Sequence, residues 1–277
     1  MKLSEMRQIL DREGLRLTRS LGQNFLHDTH QLQHIVAAAR LQAGDKILEI
    51  GPGLGALTDW LIREPVEVLA IEVDRRLYDL LKERHAHAKN LTLLLADALE
   101  YLRAEQRDWE RWKLVSNLPY SVASPILVEL ALNPKGPRQM TVTLQSEVAQ
   151  RLMAAPGNPD YGVLTLLIQL DYEVRDWFKI PAGCFFPVPN VDSACITLQR
   201  RSAPLLQGTE RQDFVKWVKQ GFSQRRKMLR KLLKCLAPEA QVDQALSALG
   251  LSPTVRGEAL SLEQWVALTR QLRQPHV

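Results

Sequence analysis

The hexapeptide Ser116–Ser121 (SNLPYS) brings an amide, a proline and a tyrosine together after an apolar run. A transfer to the exocyclic N6 of adenine, for example, needs acceptors for the hydrogen bonds of that amine, because the nitrogen lone pair is delocalised into the ring. The Asn117 side-chain oxygen and the Leu118 carbonyl are two such acceptors, and Pro119 fixes φ and removes one donor, which holds that carbonyl outward. The Tyr120 ring offers a face for base stacking, worth about 1–3 kcal/mol per base. An isolated segment of this kind is usually a turn with a buried tyrosine, so its context decides its meaning.

A glycine-rich segment, Glu49–Thr58 (EIGPGLGALT), lies where an apolar run gives way to a helical pattern. Gly51 and Gly53 allow a sharp turn and close approach of a ligand to the backbone, and with Ala56 they fit the dinucleotide fingerprint. Glu72 follows about 20 residues later, at the end of the next apolar run, where an acid accepts hydrogen bonds from ribose hydroxyls. The pattern predicts a nucleoside cofactor and fits NAD, FAD and S-adenosylmethionine equally well.

Asp97 ends the third apolar run, in the segment LADALEY. At this position an aspartate can accept a hydrogen bond from an adenine amino group in the crevice beyond the strand ends. It can also cap the helix that follows, since aspartate is a favoured N-cap residue. The two interpretations are not exclusive.

The elements that must position these residues alternate strictly between strand and helix from residue 45 to about residue 145. Short runs rich in Ile, Leu and Val are each followed by a turn residue and a helical segment; they read KILEI, VEVLAIEV, LTLLLA, KLVSN and MTVTLQ. This pattern is typical of βαβ units and predicts a buried, mostly parallel sheet in an α/β fold. The later runs YEVRDWFKI and ACITLQR predict an antiparallel pair at the sheet edge, and the segment GQNFL, which has no period, reads as a loop.

After RSAPLLQGTE the pattern is purely helical to the end, which predicts two domains, residues 1–205 and a small helical domain of residues 206–277.

The net charge of +5 is unevenly distributed along the chain, because residues 211–277 carry 12 Lys and Arg against 5 Asp and Glu. Within this region FSQRRKMLRKLLK places basic residues at helical spacing. A solvated helix face is the usual meaning of such a run, but the regional excess favours contact with RNA phosphates by Arg225, Arg226, Lys227 and Arg230.

Three cysteines without CxxC spacing, Cys184, Cys195 and Cys235, argue for a reducing compartment and against a metal site. The first residues are charged and lack a signal-peptide core, and no apolar run approaches the roughly 20 residues that span a bilayer. The sequence therefore predicts a cytosolic protein without a metal or a membrane span.

The chain resembles a known family in an ordered set of segments that runs from about residue 16 to the terminal RGEALSLEQW. The segments are SLGQNFLHD, EIGPGLGALT, IEVD, ADAL, SNLPYSVASPIL, QSEVAQRL, YGVLTLLIQ, FFPVPNVDSA and FSQRRKMLRKLL. They occur in the order of the small-subunit ribosomal RNA adenine dimethyltransferases, the KsgA/Dim1 family. The resemblance implies a class I, Rossmann-like methyltransferase that uses S-adenosylmethionine. Its expected reaction is N6-dimethylation of two adjacent adenosines near the 3′ end of 16S rRNA in a precursor of the small ribosomal subunit.

The resemblance also implies roles for single residues. Gln23, Asn24 and Leu26 are expected to close over the cofactor, Gly51 and Gly53 to face its methionine part, Glu72 its ribose and Asp97 its adenine. Asn117, Leu118 and Tyr120 are expected to hold the target base, with Asn117 also bordering the cofactor, and Phe185 of the F-x-P-x-P loop to stack on the base's other face. Nothing in the sequence demands more than a monomer.

Three alternatives remain open. The antibiotic-resistance rRNA methyltransferases share the fold and the N6 chemistry but act on large-subunit RNA; RRKMLRKLL and Val191-Asp192-Ser193 favour the small-subunit branch. Relatives that serve as transcription or assembly factors are not enzymes, and the presence of Glu72, Asp97 and Asn117 argues against a lost active site. An NAD enzyme is disfavoured by NLPY and by the lack of a hydride-transfer His or Tyr constellation.

Overall fold

The computed structural model describes residues 1, 3–15, 23–104 and 107–273. The chain forms two compact units. The first consists of Met1–Ala149 and Glu173–Arg200, and the second of Gln150–Tyr172 and the chain from Arg201 onward.

The strands belong to a two-stranded and a seven-stranded sheet in the first unit. In chain order they are β1 (Phe25–Leu26), β2 (Lys46–Ile50), β3 (Glu67–Glu72), β4 (Leu91–Leu95), β5 (Trp112–Asn117), β6 (Gln139–Gln145), β7 (Tyr172–Ile180), β8 (Phe185–Phe186) and β9 (Ser193–Arg200). Helices of the first unit are α1 (Leu3–Arg12), α2 (Thr29–Ala38), α3 (Thr58–Leu61), α4 (Arg75–Arg84), α5 (Ala98–Ala104) and α6 (Ala123–Leu132).

The large sheet has the order β4-β3-β2-β5-β6-β9-β7, with β4 to β6 parallel. Its central strands are apolar runs buried on both faces, as parallel sheets require. The chain builds outward from β2 in one direction through β3 and β4, and then in the other through β5 and β6. The carboxyl ends of β2 and β5 therefore flank a topological switch point, the place where open α/β sheets bind ligands.

The antiparallel edge that the sequence predicts is confirmed. Strand β9 pairs antiparallel with β6, from Gln145 opposite Ser193 to Gln139 opposite Gln199, and β7 lies beyond it at the edge. The segment GQNFL, which the sequence predicts to be a loop, contains a short strand instead. Phe25 pairs with Phe186 and Leu26 pairs with Phe185 to form the small sheet. This pairing joins two segments far apart in the sequence, which no local pattern can indicate.

The second unit is helical. Helix α7 (Ser146–Met153) spans the boundary, and the unit continues with α8 (Val163–Gln169), α9 (Thr209–Gly221), α10 (Leu229–Leu233), α11 (Glu239–Ala248) and α12 (Leu262–Arg273). No helix among the described residues is both long enough and apolar enough to cross a membrane.

This division differs from the predicted one, which placed Gln150–Tyr172 in the first domain. The Tyr161 hydroxyl donates to the Leu260 carbonyl at 2.9 Å, and Arg211 forms a buried ion pair with Asp171. These contacts tie the segment to the C-terminal helices, so the boundary by contact is not the boundary by sequence pattern.

Candidate active site

One cavity lies at the switch point between β2 and β5, and its lining comes from the ends of β2, β3, β4 and β5 together with the segment around β1. It contains most of the residues that the sequence predicts for the cofactor and the target base. These are Gln23, Asn24, Leu26, Gly51, Gly53, Glu72, Asp97, Asn117, Leu118 and Tyr120.

The glycine loop after β2 requires glycine at two positions. Gly51 has φ +67° and donates to the Ile71 carbonyl at 2.9 Å, and a Cβ there would lie 2.9 Å from Pro119 Cγ. Gly53 has φ +61°, and a Cβ there would lie 2.6 Å from the Phe25 ring. Side chains rarely adopt this left-handed backbone, and here they would also collide with the walls of the cavity.

Glu72 ends β3 and is almost fully buried. Its carboxylate accepts three backbone hydrogen bonds, one from Gly53 at 3.0 Å through Oε2 and two through Oε1, from Val73 and Asp74 at 2.9 Å. Burial raises the pKa of Glu72, and the three N–H groups oppose that shift. A carboxylate has about four acceptor positions, so one direction on Oε2 stays available for a ligand hydroxyl.

Glu49 is a cavity residue that the sequence reading missed. It has 1% of its surface exposed, lines the cavity and accepts a hydrogen bond from the Thr58 hydroxyl at 2.8 Å. Burial raises the pKa of Glu49 to about 8. The signal in the sequence was a single acid inside the apolar run KILEI. Both faces of such a strand are buried, so an acid within it is buried too.

Asp97 follows β4, is exposed and lines the cavity. Its Oδ1 accepts from the backbone N–H groups of Leu99 at 2.8 Å and Glu100 at 3.0 Å, which makes Asp97 the cap of α5. Capping occupies one of the two carboxylate oxygens. A second hydrogen bond, to a ligand in the cavity, remains compatible with it.

The segment around β1 forms one wall of the cavity. Gln23 donates to Asp74 Oδ2 at 3.3 Å, and Leu26 is buried in its ladder with Phe185. The Asn24 carbonyl accepts a hydrogen bond from Asn117 Nδ2 at 3.0 Å. This segment, residues 23–28, is called the N-terminal arm below; it is attached through Gln23 to Asp74 after β3 and through Asn24 to the end of β5.

Asn117, the last residue of β5, presents an unused acceptor. Its Nδ2 is bound to Asn24, whereas its Oδ1 is buried and has no hydrogen-bond partner among the described residues. Such a group costs about 1–3 kcal/mol if nothing satisfies it. The Leu118 N–H donates to the Thr143 carbonyl at 3.1 Å, which fixes the peptide plane next to Asn117. The half-buried Tyr120 lines the same wall and hydrogen-bonds to Ser193.

Phe185 is not brought to this cavity. Its ring has no exposed surface and lies in an apolar cluster with Met6, Leu10 and Phe25. The expected stacking on a base needs an accessible ring face, and the strand pairing with Leu26 leaves none. In this structure the ring supports the β1–β8 pair.

The four basic residues expected to contact RNA belong to the second unit, and they differ in whether an acidic side chain already binds them. Residues 224–228 form a turn, and α10 begins only at Leu229, so the expected continuous helix is wrong. Arg225 binds Glu258 at 3.1 Å and the Pro159 carbonyl at 2.7 Å, and Arg230 pairs with Glu239 at 2.7 Å.

Arg226 and Lys227 are exposed, and within the described chain no ion pair involves either of them. They are therefore the two of the four whose charges are available to a partner. The described residues also contain no group of three or more His, Cys, Asp or Glu that could hold a metal ion.

The chain is similar to known proteins over nearly its whole length. Residues 14–274 match the family model described as ribosomal RNA adenine dimethylase. The chain is 37% identical to ribosomal RNA small subunit methyltransferase A of Protochlamydia amoebophila, covering 98% of this chain and 96% of the relative. It is 39% identical to the protein of the same name from Magnetococcus marinus, with 94% and 93% covered.

Two solved structures share the fold. The 23S rRNA methyltransferase ErmE superposes with a TM-score of 0.68 at 30% identity, covering 90% of this chain and all of that one. A dimethyladenosine transferase from Plasmodium falciparum gives a TM-score of 0.75 at 23% identity, with 88% and 95% covered. The chain therefore belongs to the ribosomal RNA adenine dimethylase family of S-adenosylmethionine-dependent methyltransferases.

Proposed function

We propose that this protein dimethylates the N6 amines of two adjacent adenosines near the 3′ end of small-subunit (16S) rRNA, within a precursor of the small ribosomal subunit. The observation that carries the proposal is Asn117, which lines the cavity and whose buried Oδ1 has no hydrogen-bond partner among the described residues. An acceptor held there without a donor suits an incoming amine. The names of the curated relatives support the small-subunit assignment.

The residues of the cavity fit S-adenosylmethionine. The free direction on Glu72 Oε2 suits a ribose hydroxyl, and the second oxygen of Asp97 suits an adenine amino group. Gly51 and Gly53 line the cavity and carry no side chain, which allows the methionine part to approach the backbone. When bound, the cofactor supplies an electrophilic methyl group on a positively charged sulfur.

The chain's own part in catalysis is to orient the amine. Asn117 Oδ1 and the Leu118 carbonyl accept hydrogen bonds from its two N–H groups, which favours a pyramidal nitrogen and frees the lone pair. The Tyr120 ring stacks on the base and fixes its plane. Positioning of this kind can supply about 7–11 kcal/mol. No side chain has to act as a base, because the nitrogen attacks with its own lone pair and its surplus proton leaves to solvent after the transfer.

RNA binding is assigned to Arg226 and Lys227, whose charges are exposed. Arg225 and Arg230 contribute through the fold of the second unit, because their guanidinium groups are held by carboxylates. The protein is proposed to act as a monomer in the cytoplasm, where small subunits are assembled.

The decisive experiment incubates the protein with methyl-labelled S-adenosylmethionine and either immature small subunits or large subunits, and then maps the label. Two adjacent dimethylated adenosines near the 3′ end of 16S rRNA are expected. Label in large-subunit RNA instead supports the second candidate, a resistance-type methyltransferase, which the likeness to ErmE favours.

Asn117→Ala supplies the matched control for the site. It is expected to abolish transfer while leaving cofactor affinity within a few-fold, because the amide faces the amine. Near-normal turnover of this variant contradicts the acceptor role.

A further inference from the structure

We infer that the backbone carbonyl of Asn24 is a positioning group that turns the Asn117 amide into its productive orientation. The inference rests on the proposed function and adds a role for the N-terminal arm in the transfer step itself. It concerns the main chain of the arm, and so it is independent of any contact between the arm's side chains and the cofactor.

The chemistry of the amide carries the first step. A primary amide has a donor end and an acceptor end, and a carbonyl oxygen can pair only with the donor end. Because Asn24 O lies 3.0 Å from Asn117 Nδ2, the opposite end, Oδ1, must point away from the arm. That oxygen is buried and has no hydrogen-bond partner in the described part of the chain, and Asn117 is one of the residues that line the cavity.

The second step is that the carbonyl itself is held. Phe25, the next residue, pairs with Phe186 and packs its ring against the position where a Gly53 Cβ would lie. Just after β1, the His27 N–H donates to the Cys184 carbonyl at 3.0 Å. The arm is fixed by main-chain bonds to a distant loop, so the orientation of Asn117 depends on the arm being seated there.

The consequence is a coupling between two events. When the arm leaves its place, Nδ2 loses its acceptor and either end of the amide can face the cavity. Only the seated arm selects the acceptor end for the amine. Seating the arm and orienting the Asn117 amide for the amine are therefore coupled, and the second requires the first.

Asn117→Asp separates the two ends of the side chain. Aspartate keeps the shape and presents an acceptor to the amine, but as an anion it cannot donate to Asn24. At pH 8 we expect its transfer rate on small subunits to fall at least 100-fold below wild type. As pH falls toward 6, the ratio of variant to wild-type rate should rise about tenfold per pH unit, because the protonated carboxyl can donate to Asn24 again.

Hydrogen exchange gives a readout that does not depend on methyl transfer. In Asn117→Asp at pH 8, amides of residues 23–28 should exchange at least tenfold faster than in wild type. The control is Asn90→Asp, which removes two similar donations, to the Ile62 and Val66 carbonyls, away from the cavity. It should leave the exchange of the arm and the pH dependence of transfer unchanged.

Three results overturn the inference. One is wild-type transfer by Asn117→Asp at pH 8, and another is unchanged protection of the arm in that variant. The third is a loosened arm with no recovery of transfer at low pH. Failure of the proposed function looks different, because then the wild-type protein does not label small subunits while the exchange result still stands.

Discussion

The hydroxyl groups of Tyr120 and Ser193 hydrogen-bond to each other, although the two residues are 73 positions apart. Ser193 is fully buried at the start of β9, opposite Gln145 in the ladder, whereas Tyr120 faces the cavity. Burial raises the pKa of Tyr120, so its phenol stays protonated near neutral pH. Strand β9 thus holds the ring on which the target base is proposed to stack.

Replacing Ser193 with Ala should raise KM for the small subunit about five- to tenfold, the scale of one buried hydrogen bond of about 1 kcal/mol. Cofactor affinity should not change. Tyr120→Phe should have the same effect, and the double variant should be no worse than either single one, because both remove the same bond. Ser193→Thr, which keeps the hydroxyl, is the control. Additive losses in steady-state kinetics contradict this role.

Gly53→Ala and Gly44→Ala form a matched pair for the glycine loop. Both residues have positive φ, +61° and +82°, but a Cβ meets the Phe25 ring at Gly53 and nothing within 4 Å at Gly44. Both variants should lose about 1–2 kcal/mol in urea unfolding from the left-handed backbone. Only Gly53→Ala should also lose cofactor affinity by calorimetry, since the Phe25 wall must move. Equal affinities in the two variants count against a tight loop.

The raised pKa of Glu49, about 8 against 4.5 for the ordinary side chain, predicts a pH dependence of stability. Between these values the folded state holds a proton that the unfolded chain has lost. The free energy of unfolding from this group is therefore greatest below pH 4.5 and falls by about 1.4 kcal/mol per unit up to pH 8. Glu49→Gln should flatten the curve measured by urea unfolding, and the exposed Glu83→Gln should not. Parallel curves for wild type and Glu49→Gln refute the assignment.

The basic turn of the second unit predicts a separation between binding and stability. Replacing Arg226 and Lys227 with Gln should lower the slope of log affinity for small subunits against log salt by about 0.7–0.9 per phosphate contact. The melting temperature should not change, since both side chains are exposed. A control that removes two charges elsewhere, Lys82→Gln with Lys89→Gln, should keep the wild-type slope. Equal slopes in all three proteins mean that the turn binds no phosphate.

Arg225 should behave in the opposite way, because it binds Glu258 and two carbonyls, those of Pro159 and Tyr161. Arg225→Gln should reduce the free energy of unfolding by roughly 1 kcal/mol and change the salt slope little. Thermal melts and binding at several salt concentrations measure both. A lowered slope with an unchanged melting temperature restores Arg225 to the RNA-binding set.

The sequence by itself was enough to predict the parallel sheet, its antiparallel edge and the four cavity residues Gly51, Glu72, Asp97 and Asn117. The reason is local. Apolar runs have the length and composition of buried strands, and the carboxyl ends of parallel strands meet at one edge of the sheet. Glu72 and Asn117 end such a run and Gly51 and Asp97 come just after one, so counting strands was sufficient to bring them together.

Only the tertiary structure decided which atoms of those residues remain available. Leu26 and Phe185 are far apart in the sequence but pair in the small sheet. The Phe185 ring, which was expected to be accessible to a base, is buried there. Arg225 and Arg230 look like Arg226 in the sequence, but Arg225 binds Glu258, 33 positions away, and Arg230 binds Glu239 at the start of α11. Hydrogen-bond partners, burial and the pKa of Glu49 depend on neighbours brought together by folding, and a one-dimensional pattern of residue types does not contain those neighbours.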